Sequence, residues 1–236
     1  MIKISRVIFF DDTRTYTVDG EEFPSVSEIP RFARRVWRDK LVLDTYYDEE
    51  NHQYYVNGEE KPSVTEIANP ISAERLNALQ MSMVERARQR GKRCHELFEQ
   101  YLLLEELDTE EIETEYFPYV KQFVIWARTY RPKVIFTEKK LFGKVFCGTA
   151  DLICEIDGKT IIVDYKVTSA IDKKSLSVQL EGYDRLAKEN GIHIDECWFL
   201  HIKKDGYVFK PITKDSEWFD ILLAHNKKMR GKYNGK

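Results

Sequence analysis

GTADLICEIDGKTIIVDYKVTS, residues 148–169, is the stretch on which the fold turns. Apolar β-formers lie on both sides of Asp157-Gly158, a dipeptide favoured in two-residue type I′ hairpin loops. A loop of that length sets the register, with partner numbers summing to 315. Ile156 then meets Lys159, Cys154 meets Ile161 and Asp151 meets Asp164. Directly opposed residues have Cβ atoms about 4.5–5.5 Å apart. Lys166 lies two residues beyond Asp164 and so shares its face. Two carboxylates that close repel each other, and a cation resolves the conflict. Hard divalent ions prefer carboxylate oxygen, and Mg²⁺ typically takes one or two carboxylates plus water and phosphate oxygens. Lys166 adds a positive charge suited to a developing phosphorane. The run Ile161-Ile162-Val163 reads as buried, so three ionisable groups at its end call for a chemical reason.

Outward from this hairpin, three strands are expected at about 133–142, 145–156 and 159–168. With Gly143-Lys144 as the turn, partner numbers sum to 287, and Glu138 faces Thr149, diagonal to Asp151. Upstream, residues 72–107 have the apolar spacing of a helix, interrupted by Gly91, which marks a close contact or a break. The acidic run EELDTEEIETE, 105–115, is an exposed connection to a second amphipathic helix over 116–130. Downstream come a helix over 174–190 stopped by Gly191, a buried strand CWFLHIK, a hairpin through Asp205-Gly206 and a last helix from about Ser216. This order predicts an α/β fold: a mixed β-sheet flanked by helices.

The N-terminus carries a repeat. YTVDGEEFPSVSEI, 16–29, and YYVNGEEKPSVTEI, 54–67, agree at ten of fourteen positions. Each copy reads as a strand, an Asp-Gly or Asn-Gly turn and a helix start. Ser25 with Glu28, and Ser63 with Glu66, match the capping box. Two copies are too few for a solenoid. The expected organisation is a duplicated hairpin–helix element over 1–70 and a core domain over 71–236.

The chain has 236 residues, 42% of them hydrophobic and 33% charged, which suits a globular protein. No apolar run reaches the roughly 20 residues of a membrane span, and the start lacks the features of a signal peptide. A cytoplasmic, bacterial or phage-encoded protein is expected. Net charge is −3, yet basic residues cluster at 31–40, 86–93 and 227–232. The tail RFARRVWRDK is a candidate phosphate contact, as are Arg90, Lys92 and Arg93 for DNA. Tyr116, Phe117 and Tyr119 are candidate base contacts. Cys94, Cys147, Cys154 and Cys197 form no CxxC pair, so free thiols are expected and no iron–sulfur cluster.

Asp151, then twelve residues, then Asp164-Tyr165-Lys166 resembles the PD-(D/E)xK nuclease superfamily. Gly91 with His95, Gln179 with Tyr183, and Glu138 resemble motifs of its RecB-like branch, over roughly 54–233. The PSVT segment and the G-x-x-x-H-E-x-x-E helix are most similar to mitochondrial genome-maintenance type and phage exonucleases. Val167 departs from the pattern, which usually has Thr directly after the lysine. The resemblance implies one or two Mg²⁺ or Mn²⁺ ions held by His95, Asp151, Asp164 and the Tyr165 carbonyl. It implies catalytic roles for Asp151, Asp164, Lys166, Glu138 and Gln179, with Tyr183 in support. Glu99 shares a helical face with His95 and is placed to orient it. The reaction implied is phosphodiester hydrolysis by in-line attack.

The leading expectation is a metal-dependent DNA exonuclease favouring single-stranded ends, working beside replication, recombination or repair proteins. An endonuclease of the same fold is the competing enzyme. A nucleic-acid binding module without catalysis is the third reading, although a binder has no use for a repelling carboxylate pair. The CRISPR-adaptation nucleases of this branch carry a four-cysteine cluster, which the scattered cysteines do not match.

Overall fold

The computed structural model describes residues 7–10, 15–18, 21–23, 45–68, 81–107, 110 and 112–233. Ser25, Glu28, the basic tail at 31–40 and the expected helical residues 72–80 lie outside the described residues. The chain divides into two compact units, residues 1–47 with 55–59, and residues 48–54 with 60–236. In the smaller unit, β1 (Val7–Phe10), β2 (Thr15–Val18) and β3 (Glu21–Phe23) form an antiparallel sheet. Tyr16↔Phe23 to Val18↔Glu21 flank the expected Asp19-Gly20 turn, itself outside the described residues. A second three-stranded sheet comprises β4 (Thr45–Asp48), β5 (Gln53–Val56) and β6 (Glu59–Lys61). Asn57 and Gly58 have φ of 54° and 79°, the pair of positive angles that a type I′ turn requires.

The larger unit is built on a five-stranded mixed sheet in the order β11-β10-β9-β8-β7. Its strands are β7 (Lys133–Phe142), β8 (Cys147–Ile156), β9 (Lys159–Lys166), β10 (Glu196–Ile202) and β11 (Tyr207–Pro211). Helices α1 (Met81–Leu104) and α2 (Phe117–Tyr130) precede the sheet. Helix α3 (Lys173–Glu189) joins β9 to the parallel β10, and α4 (Ser216–Tyr233) follows β11. Asp172 caps α3, accepting the Lys174 and Ser175 N–H groups.

Two apolar layers enclose the sheet. Ile162, Ile153 and Leu141 pack with Leu176, Leu180, Leu186 and Phe219 from α3 and α4. Leu152, Cys154, Val163, Tyr165 and Leu200 pack with Cys94, Leu97 and Phe98 of α1 and Phe123 and Trp126 of α2. This explains why β9 is an almost unbroken apolar run: both of its faces are covered. The four cysteines are buried free thiols. Among the described residues, no helix is long and apolar enough to cross a membrane.

The PSVTEI segment belongs to the larger unit. Val64 and Ile67 are fully buried in the layer shared with α3, and the Cys147 N–H donates to the Pro62 carbonyl at 2.9 Å. The capping box forms by half. The Glu66 N–H donates to Ser63 Oγ, but the Glu66 carboxylate accepts from Asn226 and Arg230 of α4 instead. Gly91 produces neither a break nor a close contact: α1 runs through it, and a Cβ there would meet nothing within 4 Å.

Candidate metal centre

The Asp157-Gly158 turn forms as expected, with φ of 51° and 76°, and the ladder sums to 315 from Ile156↔Lys159 to Leu152↔Val163. The expected Asp151–Asp164 pair is not part of this ladder, which ends one step before it. Instead, Asp151 Oδ2 accepts the Tyr165 N–H at 2.7 Å. This bond fixes one Asp151 oxygen on the neighbouring backbone, while Asp151 still helps to raise the Asp164 carboxyl.

The β7–β8 turn differs from expectation. Gly143–Phe146 form a four-residue loop in which the Gly143 N–H donates to the Phe146 carbonyl, and Phe142 pairs with Cys147. Partner numbers around Glu138 therefore sum to 289, not 287. Thr137↔Leu152 and Lys139↔Ala150 frame Glu138 opposite Asp151 rather than Thr149. Glu138 has φ of 44°. A non-glycine residue held there is strained, and such strain gathers at functional sites.

His95 on α1 completes the group. Its Nδ1 lies 3.5 Å from Glu138 Oε1 and 3.6 Å from Asp151 Oδ1. One ligating atom from each of the three lies within 4.8 Å of the others. Glu138 Oε1 is buried, and the group it faces is His95 Nδ1. Two carboxylates and an imidazole suit a hard or borderline divalent ion such as Mg²⁺ or Mn²⁺. The residues present therefore fit the expected metal, with Glu138 beside Asp151 and His95.

Asp164 begins a second chain of contacts. It is 2% exposed, and its Oδ2 lies 2.6 Å from Lys166 Nζ. Lys166 Nζ donates to Gln179 Oε1 at 3.2 Å, and Gln179 Nε2 donates to the Tyr183 hydroxyl at 3.2 Å. Thr65 of the PSVTEI segment also reaches that hydroxyl. Tyr54 and Thr149, two residues before Asp151, share a hydrogen bond of 2.7 Å.

The electrostatics follow from crowding. Burial pushes the Asp164 carboxyl up to about 6, against the pull of Lys166. Burial also raises Asp151, helped by Glu138 and opposed by His95 and Lys166. For His95, burial favours the neutral ring, but Asp151 and Glu138 outweigh it and raise the imidazole to about 9. Burial likewise disfavours the Lys166 ammonium, yet Asp164 and Asp151 hold it above its usual value.

The other candidates have these surroundings. The Tyr165 ring packs edge-on to His95, Phe98 and Phe123. Glu99 is half-buried and contributes to raising the Tyr165 phenol. Arg90 donates from Nε and Nη2 to the Val167 carbonyl, each at 3.3 Å, and lies over the Tyr119 ring. Arg93 is bound by Glu113 and Glu96, while Lys92 is exposed. Tyr119 is thus buried beneath Arg90 rather than open to a base. Phe117 is exposed and lines an apolar groove of about 540 Å³ with Tyr101, Ile112 and Val124. His201 is buried, and its Nε2 bonds the Thr168 carbonyl at 2.7 Å. The sequence signal for His201 was its place in a strand otherwise apolar on both faces.

No protein-family model matches this chain, and no curated protein does. A solved structure titled "Crystal structure of SSO0001" is similar over 58% of this chain and 71% of its own, at 17% identity and a TM-score of 0.32. A likeness of that extent carries no argument about what the site does.

Proposed function

We propose that this protein is a metal-dependent deoxyribonuclease of the PD-(D/E)xK superfamily, RecB-like branch, that digests DNA from its ends and favours single strands. The observation that carries the reading is the convergence of His95, Glu138 and Asp151 beside the Asp164–Lys166 pair. A packing or binding role gives no reason to gather three carboxylates around one imidazole at the end of a buried strand.

His95, Glu138 and Asp151 would hold a Mg²⁺ or Mn²⁺ ion. When bound, such an ion neutralises phosphate charge and makes water more acidic. The chain's own residues do the rest. Asp151 keeps its ligating oxygen aimed because its other oxygen is fixed by the Tyr165 N–H. Lys166 carries a full positive charge, raised by Asp164, toward the place where a phosphorane gains charge. Gln179 also holds the Lys166 ammonium, and Tyr183 holds Gln179. The strand-and-helix scaffold fixes these positions more tightly than loops would. Work beside replication, recombination or repair proteins in the cytoplasm fits such an activity.

The test is incubation with end-labelled single-stranded and duplex DNA, linear and circular, with Mg²⁺, Mn²⁺ or EDTA. Metal-dependent loss of linear strands, reduced at least ~100-fold by Asp151→Ala and by Lys166→Ala, is the expected result. Cutting of circles would make the protein an endonuclease. DNA binding without cleavage under either metal would make it a binding module.

A further inference from the structure

Two carbonyls follow the last paired residue of β9, and each is taken by a side chain from elsewhere. Lys166 is the last β9 residue paired to β10, opposite His201. The next carbonyl, Val167, accepts both Nε and Nη2 of Arg90 at 3.3 Å. The one after, Thr168, bonds His201 Nε2 at 2.7 Å. Backbone acceptors at a strand end are ordinarily left to water. Here the end that carries Asp164, Tyr165 and Lys166 is fastened on both sides.

Arg90 sits on α1 five residues before His95. Its guanidinium also lies over the Tyr119 ring of α2, 5.7 Å from the centroid. One side chain therefore links the helix that supplies His95, the strand that supplies Asp164 and Lys166, and the helix packed beside them. Other contacts between α1 and β9 are the aromatic one of Phe98 with Tyr165 at 5.6 Å and the non-directional charge interactions of His95 with Asp164 and Lys166. Those resist separation but allow sliding along the helix axis. A charged, forked hydrogen bond onto one carbonyl fixes the axial position.

We propose that Arg90 is a positioning residue: a strut that sets the height of His95 on α1 against the strand bearing Asp164 and Lys166. It replaces the reading of Arg90 as a phosphate contact. The inference rests on the metal site proposed above. A ligand displaced by 1 Å is poorly placed for a small ion with strict geometry.

The test compares the full-length protein with Arg90→Ala, Arg90→Lys and, as a control, Gln89→Ala, an exposed neighbour bonded to Glu85. Three quantities are read: Mn²⁺ affinity by calorimetry, thermal midpoint in EDTA, and kcat and KM on a labelled oligonucleotide. Supporting partners of metal ligands typically contribute about 10- to 100-fold in affinity or activity. Arg90→Ala and Arg90→Lys are expected to weaken Mn²⁺ binding by about that factor and to lower kcat with KM little changed. Lysine keeps the charge but loses the fork. If Arg90→Ala does not fold, Arg90→Lys carries the comparison. Wild-type behaviour of Arg90→Lys would overturn the strut, because charge alone would then suffice. A raised KM with unchanged Mn²⁺ affinity would restore the phosphate contact. A lowered thermal midpoint with unchanged Mn²⁺ affinity would make Arg90 ordinary packing. A wild-type protein that binds no Mn²⁺ would remove both the metal site and the strut. One that binds Mn²⁺ but cleaves nothing would fail as a nuclease, while the affinity comparison still judges the strut.

Discussion

Asp164 shows how far a single residue can be read from its neighbours. Its place after an apolar run marked it as the end of a buried strand on the face of Lys166, and it is buried there against Lys166. The cross-strand register that set it opposite Asp151 stops one step earlier. Glu138 is the residue that faces Asp151, because a four-residue loop and a left-handed backbone turn it that way. No periodicity announces a positive φ at a glutamate. The ionisation of these residues has a direct consequence. Asp164 is raised by burial to about 6 from 3.8, and His95 is raised to about 9 from 6.5. At these two groups the folded protein therefore holds protons more tightly than the unfolded chain. Stability falls as unfolded-state proton binding is lost first: through 3.8 to about 6 for Asp164, and through 6.5 to about 9 for His95. Compared with Asp164→Asn in EDTA, in which every other titrating group is shared, the wild type should lose relative stability between pH 4 and 7, and a constant difference would refute the assignment. Lys166→Ala removes the partner of a buried carboxylate and should destabilise by roughly 1–3 kcal/mol at pH 8. At pH 5 Asp164 is protonated and needs no cation, so the loss should be much smaller. Denaturant melts of the variant at the two pH values decide the matter.

At the scale of elements, the hairpin turn chemistry carried the most information. Asp157-Gly158 and Asn57-Gly58 take the positive φ values that their composition demands, and β9 ends two residues before the expected 168. Helix boundaries followed from apolar spacing because α1, α2 and α3 each bury one face against the sheet. Side-chain partners across elements were illegible. Nothing local tells that Glu66 would leave its own helix start for Arg230, since that choice depends on where α4 lands. Two glycines make the same point with opposite signs. Gly148 lies under Tyr183, and a Cβ there would sit 2.8 Å from the ring and 3.1 Å from Val64. Tyr183 is buried and holds Gln179, so it cannot retreat freely. Gly148→Ala should destabilise by about 1–3 kcal/mol and lower any cleavage rate through Gln179 and Lys166. Gly91 is in a helix interior with open space around it. Gly91→Ala should stabilise by about 0.5–1 kcal/mol. Paired chemical denaturation of the two variants tests both; a loss of stability in Gly91→Ala would show that its spacing serves a contact.

For the whole molecule, net charge says little and its placement says more. The chain is formally −3, yet Glu138 and Asp164 both act on Asp151, and all three carboxylates act on one imidazole. Such a cluster opposes folding, and an ion that binds only the folded state relieves it. The sequence foretold the α/β sheet because its elements alternate in the right order. The meeting of His95 with Glu138 was beyond periodicity, since it joins a helix to a strand 43 residues on. The cluster ties stability to metal in a way that can be measured on the intact chain without any substrate. An ion at about 100 times its dissociation constant stabilises by roughly 2.7 kcal/mol. For a protein of this size each kcal/mol moves the midpoint by about 2–4 °C. Mn²⁺ should therefore raise the melting temperature by roughly 5–11 °C over EDTA. The gain should grow with pH, because His95 must give up its proton to ligate and does so more readily toward pH 9. Asp151→Asn removes a charged ligand and also relieves repulsion, so it should melt higher than the wild type in EDTA and respond little to Mn²⁺. An equal Mn²⁺ shift in both proteins would place the ion elsewhere, and the carboxylates around His95 would then need another explanation.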